Sequence, residues 1–152
     1  MSMRGYFGVG IEHGKNQLNY GTLHRTAQIL GASMLFTVGR RFRKQCSDTM
    51  CSWRHIPTFQ YENITDLKAH IPYDCLLVGV ELDDRAVPIE EFTHPQRAIY
   101  LLGAEDHGLT KGALSACHKL VKLRGDRSMN VSVAGSIVLY HRATQRESEG
   151  GA

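Results

Sequence analysis

Short unbroken apolar runs alternate along this chain with stretches long enough for a helix, the pattern left by strands of a parallel sheet buried on both faces. Residues 5–11 (GYFGVGI) read as the first such strand, with glycines that permit close packing. A polar loop covers residues 12–18. A helix is predicted from about 20 to 30, closing on Gly31, a residue suited to the left-handed turn after a helix end. Residues 34–38 form the next apolar run, so the chain opens as strand, helix, strand, which implies parallel pairing and a right-handed crossover. Further along, 58–61 reads as a short strand, 64–70 as a short helix ahead of Pro72, and 73–80 (YDCLLVGV) as a central strand. An acidic loop at 81–85 and a single turn at 89–92 lead to a strand at 98–102, a helix at 109–117 and a last strand at 120–123.

The closing helix is the most apolar element. From Val131 to Tyr140 its residues are apolar or small all the way round, which predicts burial on several sides. Asn130 stands just before it as an N-cap, with a side-chain oxygen able to accept from the free N–H groups of the first turn. Ala134, Gly135 and Ser136 would let another backbone come close. After Arg146 the polar, Gly-rich ESEGGA is expected to be disordered, leaving residues 1–146 as one domain and 147–152 as a tail. Pattern alone describes an unknotted, doubly wound α/β domain.

Composition narrows the field. The 152 residues carry a formal charge of +3, with 42% hydrophobic and 22% charged, ordinary values for a domain with a proper core. The mild basic bias permits an anionic partner without demanding one. Cys46, Cys51, Cys75 and Cys117 contain no C-x-x-C pair, and the first ten residues lack a charged start followed by a long apolar run. Reduced thiols, no secretion signal, no membrane span and a cytoplasmic location are the expectation. Cys46, Cys51 and His55 lack a second ligand pair at short spacing, so no metal is expected. Gly8, Gly10 and Gly14 form G-x-G-x-x-x-G, one residue too long for the dinucleotide fingerprint, which disfavours a Rossmann-type nucleotide-cofactor enzyme.

Three segments carry candidate chemistry. Asn19-Tyr-Gly21-Thr-Leu-His-Arg25-Thr26-Ala27 opens the first helix. Gly103-Ala104-Glu105-Asp106-His107-Gly108-Leu109 follows a strand end, where α/β proteins bring backbone close to a ligand. Ser128-Met129-Asn130-Val131-Ser132 opens the last helix. The ordered set resembles the SPOUT class of RNA methyltransferases, specifically the SpoU or TrmH-like 2′-O-ribose branch, and spans nearly the whole chain. This sequence departs from the family pattern at Asp106, where many relatives have Gly. It departs again in the short Arg124-Gly125-Asp126-Arg127 linker, where many have a longer, Pro-containing loop.

The resemblance overrules the unknotted expectation. It implies a mostly parallel sheet flanked by helices with a C-terminal trefoil knot (the SPOUT, or α/β-knot, fold), the threaded part being roughly residues 120–142. It implies S-adenosyl-L-methionine as cofactor, held by loops around Gly79, Val80, Gly103, Leu123, Ser128 and Met129, and a homodimer built partly by the last helix. RNA is the implied substrate, tRNA before rRNA because no RNA-binding domain is appended. Arg25 becomes the group nearest the ribose hydroxyl, assisted by Asn19, Glu105 and Asn130, with Glu105 binding Arg25 or substrate.

Arginine stays protonated near neutrality and is a poor base on its face, so Arg25 is expected mainly to bind phosphate and stabilise a developing alkoxide, although direct proton abstraction by it has been proposed for the family. His24 and His107 titrate near neutrality but fall on no defining motif position and are left out. Arg40, Arg41, Arg43 and Lys44, crowded after the second strand, are candidate RNA-phosphate contacts. A competing expectation is an RNA-binding protein that keeps the scaffold without the chemistry.

Overall fold

The computed structural model describes residues 5–39 and 55–150. In order they form β1 (Tyr6–Glu12), α1 (Gln17–Ile29), β2 (Met34–Val38), β3 (Thr58–Tyr61), α2 (Ile64–Ala69), β4 (Leu76–Val80) and β5 (Val87–Pro88). A 3₁₀ turn (Ile89–Glu91), β6 (Arg97–Leu102), α3 (Lys111–Ala116), β7 (Lys119–Lys122) and α4 (Val131–Gly150) complete the chain. Among the described residues the sheet has seven strands in the order β3-β2-β1-β6-β4-β7-β5. Every pairing in it is parallel.

Alternation along the strands sorts side chains into two cores. Phe7, Val9, Ile11, Val78, Tyr100 and Leu102 face α1 and α4, whereas Phe36, Leu77, Ile99 and Leu101 face α2 and α3. Strands covered on both sides have no polar face, which is why the sequence shows unbroken apolar runs.

The predicted elements hold with shifts that have local causes. α1 begins earlier than expected because Asn16, not Asn19, is the N-cap: its Oδ1 accepts from the Leu18 N–H at 2.8 Å. Asn19 therefore lies inside the first turn and is buried. β4 starts at Leu76, since Asp74 adopts φ 61° and breaks the run begun at Tyr73. Gly31 closes α1 at φ 91° as its position predicts. The edge strand β5 escapes sequence reading because two residues carry no period.

Two expectations for α4 fail. Val133, Ile137 and Tyr140 are 49%, 40% and 63% exposed, so an apolar stripe faces away from the sheet instead of being buried within the chain. The helix also runs past Arg146 to Gly150, because a helix already packed adds one backbone hydrogen bond per further residue at little cost.

Near its far end α4 is fastened by buried Arg142, whose guanidinium donates to the Pro95 and Gln96 carbonyls at 2.6 and 2.9 Å and lies 5.1 Å over the Phe7 ring. Gly135 lets α4 approach α1 closely, since a Cβ there would stand 2.6 Å from Leu23 Cδ1.

The sheet is also tightly constrained at one glycine. A Cβ on Gly10 would stand 2.4 Å from the Phe36 carbonyl oxygen on the paired strand. Gly10→Ala is expected to destabilise the fold by about 1–3 kcal/mol, a fall of roughly 3–10 °C in Tm by circular dichroism. A melting curve superimposable on that of the parent would show that the sheet yields freely at this point.

Candidate active site

A cleft opens where β4, β6 and β7 end, on the α4 side of the sheet. Its floor is apolar (Val80, Leu102, Leu123, Val131, Ala134), and Glu81, Glu105, Arg124, Arg127 and Ser128 stand on the rim. Counting space open to solvent it encloses about 550 Å³. The carboxyl edge of parallel strands is the usual ligand site of open α/β sheets, because loops leave there and helices begin there.

The loop after β6 folds back on itself. Ala104 and Gly108 exchange backbone hydrogen bonds at 3.2 and 2.9 Å, and a Cβ on Gly103 would stand 2.1 Å from the Gly108 carbonyl carbon. Glycine at 103 is thus required by loop closure as well as by any ligand. Gly108 sits at φ 66° against Glu81, whose carboxylate accepts from the Leu109 N–H at 2.8 Å and the Leu82 N–H at 3.0 Å.

The sequence-nominated polar residues meet at one lip of this cleft. Glu105 accepts from the backbone N–H of Lys15 (3.0 Å) and Asn16 (3.3 Å) and from the Asn19 amide (3.3 Å). Asn19 Oδ1 in turn accepts from the Asn130 amide at 3.0 Å. Asn130 Oδ1 caps α4, accepting from the Ser132 and Val133 N–H groups at 3.0 and 3.2 Å and from the Ser132 hydroxyl at 2.7 Å. A Lys15–Asp106 ion pair closes the same lip from outside.

Burial alone would raise the Glu105 carboxyl, but hydrogen bonds from its own backbone, from Lys15, from the Asn19 amide and from Asn16 outweigh it and hold the group below the usual Glu range. The hydrogen bond and charge of Lys15 likewise pull Asp106 down.

Other expectations are met unevenly. Val80, Gly103, Leu123, Ser128 and Met129 line the cleft. Gly79 does not: a Cβ there would meet Cys117, Leu120 and Leu109 on the opposite face, one step out of register with Val80. Arg25 stands exposed on α1, outside the cleft lining, and Glu105 is bound to the α1 entry, not to Arg25. Arg40, Arg41, Arg43 and Lys44, and likewise Cys46 and Cys51, lie outside the described residues.

His24 is buried, its ring 3.8 Å from that of Tyr20, and burial lowers its pKa to about 3, which keeps it neutral. Among the described residues no His, Cys, Asp and Glu cluster could hold a metal, and no helix is long and apolar enough to cross a membrane.

Sequence reading missed Glu81 and Glu12. Glu12 is 2% exposed and accepts from the Thr110 N–H and hydroxyl at 2.9 and 2.8 Å, anchoring the start of α3. Each is an acid directly at or after the end of an apolar run, a signal the sequence does carry.

Fold and cleft together define an α/β protein whose ligand site lies at the carboxyl edge of parallel strands. The chain belongs to the SpoU rRNA Methylase family, whose model matches residues 7–140. It is 28% identical over 138 residues to tRNA (guanosine(18)-2′-O)-methyltransferase of Escherichia coli K12, covering 87% of this chain and 60% of that protein. It is 35% identical over 92 residues to 23S rRNA (guanosine-2′-O-)-methyltransferase RlmB of Acinetobacter baylyi, covering 57% of this chain and 37% of that one.

The chain thus spans 60% of the length of the first of these relatives and less of the second. The fold is that of the SpoU methyltransferase AviRb from Streptomyces viridochromogenes, solved with the cofactor AdoMet. The TM-score is 0.83 at 22% identity, with 96% of this chain and 60% of that one covered.

The lowered Glu105 pKa has a stability consequence. A carboxyl depressed in the folded state contributes stability that is fully present above its ordinary value of 4.5 and is lost as the pH falls through the lower folded value. Glu105→Gln is expected to flatten the acid limb of the stability–pH curve, measured by urea unfolding at successive pH values. Identical limbs for the two proteins would remove the carboxylate from the network.

Proposed function

We propose that this chain is an S-adenosylmethionine-dependent RNA 2′-O-ribose methyltransferase. The observation that carries the reading is the convergence of Asn19, Glu105 and Asn130, from three distant segments, on the lip of a cleft walled by the loops after β4, β6 and β7. Family membership and relatives named as tRNA and rRNA 2′-O-methyltransferases support it. RNA is the proposed substrate, tRNA before rRNA, and the cytoplasm the proposed location.

The residues present fit the cofactor. An apolar floor of Val80, Leu102, Leu123, Val131 and Ala134 suits a purine, and Ser128 on the rim offers a polar group to the rest of the nucleoside. S-adenosylmethionine, when bound, supplies a methyl group activated by its sulfonium. The chain's own task is to hold a ribose hydroxyl in line and dispose of its proton.

Arg25 lies six residues beyond Asn19 on α1, an axial rise of roughly 9 Å, so the network that fixes Asn19 also fixes the base of the helix bearing Arg25. In the proposed mechanism its guanidinium binds the phosphate beside the target ribose and stabilises the alkoxide, because it cannot readily accept a proton. Threading of residues 120–142 belongs to the same reading, supported by the insertion of β7 between β4 and β5 in the sheet.

A homodimer is proposed through α4. Val133, Ile137 and Tyr140 recur at helical spacing as an exposed apolar stripe, and Leu18 on α1 is 57% exposed.

Arg25→Ala and Arg25→Lys are each expected to slow methyl transfer to bulk tRNA roughly a hundredfold while leaving S-adenosylhomocysteine affinity unchanged. Transfer at the parent rate by either variant would refute the assignment. The parent chain is expected to sediment as a dimer at micromolar concentration and Ile137→Glu as a monomer; a monomeric parent would dispose of the α4 interface.

A further inference from the structure

Two guanidiniums on the cleft rim have no part in the network described above. Arg124 and Arg127, in the linker between β7 and α4, line the cleft between Leu123 and Ser128, yet each side chain is 86% exposed. Gly125 between them adopts φ 148°, making a turn that side-chain-bearing residues rarely take.

Their present partners are weak. Arg124 Nε lies 3.3 Å from a Glu90 oxygen whose side chain is 46% exposed, and Arg127 Nε lies 3.5 Å from its neighbour Asp126, 85% exposed. Ion pairs this open to water contribute little and exchange readily for another anion. Other arginines are differently employed. Arg85 grips Asp83 through two bonds of 2.9 and 3.0 Å, and Arg142 is buried beneath α4.

Among the residues that line the cleft the solvent-facing charge is mostly positive, although Asp126 between the two arginines is also exposed. The lining carboxylates are turned onto internal donors, Glu81 onto Leu82 and Leu109, Glu105 onto Lys15, Asn16 and Asn19. The lining cations face solvent. The positive end of the long α4 dipole adds to them, since that helix starts at Val131 immediately beyond the linker.

We propose that Arg124 and Arg127 clamp the RNA backbone, each taking a phosphate close to the ribose presented at the cleft mouth. The inference rests on the RNA-methyltransferase reading and adds to it the residues that dock the strand. A guanidinium fork matches two phosphate oxygens and carries no base preference, so the clamp fixes register without reading sequence. The carboxylate of the cofactor offers a similar anionic target, but side chains directed this far into solvent suit a partner arriving from outside.

The test is anisotropy titration of bulk tRNA over a series of KCl concentrations, with S-adenosylhomocysteine calorimetry on the same proteins. The double variant Arg124→Gln/Arg127→Gln is expected to lose roughly tenfold in tRNA affinity at low salt. Its slope of log K against log salt is expected to fall by about one per arginine, with cofactor-analogue affinity and melting temperature unchanged. Arg124→Lys/Arg127→Lys should keep the slope, and Arg85→Gln should match the parent.

The proposal is overturned if the double Gln variant keeps the parental slope or if Arg85→Gln loses as much. It is overturned equally if analogue affinity falls while tRNA binding stands, which would assign the pair to the cofactor. A parent chain that binds neither tRNA nor S-adenosylhomocysteine would instead sink the methyltransferase reading and the clamp with it.

Discussion

One orientation rule organises this molecule: a side-chain amide has a donor end and an acceptor end, and each must meet its opposite. The oxygen of Asn130 is committed to the first turn of α4, so its nitrogen must donate, and it donates to Asn19. With its oxygen thus occupied, Asn19 has only its nitrogen for the Glu105 carboxylate. The polarity of a helix end is passed through two amides to an acid on a loop from the middle of the chain. Reversing either amide would set donor against donor at one junction and acceptor against acceptor at the other. No alternative orientation of the two amides satisfies the same partners, so this set of hydrogen bonds runs one way only.

Much of this was legible in the sequence, for reasons that differ by feature. Strand positions showed because two-sided burial strips polar residues from a strand, and α4 began where Asn130 said it would. Asn19, Glu105 and Asn130, one from each motif, meet beside the cleft, but the motifs do not say how they bond. Glu105 is tied to the α1 entry through Lys15 and Asn16, two residues no motif contains, and the contact spans most of the chain. The layer that Gly79 faces was hidden because a run of apolar residues does not say which of two adjacent positions faces which layer; only the pairing register decides that. The exposed side of α4 was unreadable for a related reason, since a helix apolar all round looks the same whether its second face meets its own sheet or another surface.

Register also accounts for where the cleft opens. Val78 and Val80 face the α1 and α4 layer while Leu77 and Gly79 face α2 and α3. On the second side Leu109, Cys117 and Leu120 close over Gly79, and burial drives the Cys117 thiol up to about 12, leaving a packed and chemically quiet surface. On the first side α4 begins only after the linker from β7, and the space before its first turn is the cleft. The same sheet end is therefore sealed on one face and open on the other.

The cleft draws its two sides from separate stretches of the sequence: Val80 and Leu102 from strand ends, Val131 and Ala134 from the first turns of α4. The residue that caps that helix also orients Asn19. Undocking α4 would therefore remove a wall and release the amide chain together, so the pocket and its polar lip form or dissolve as one unit.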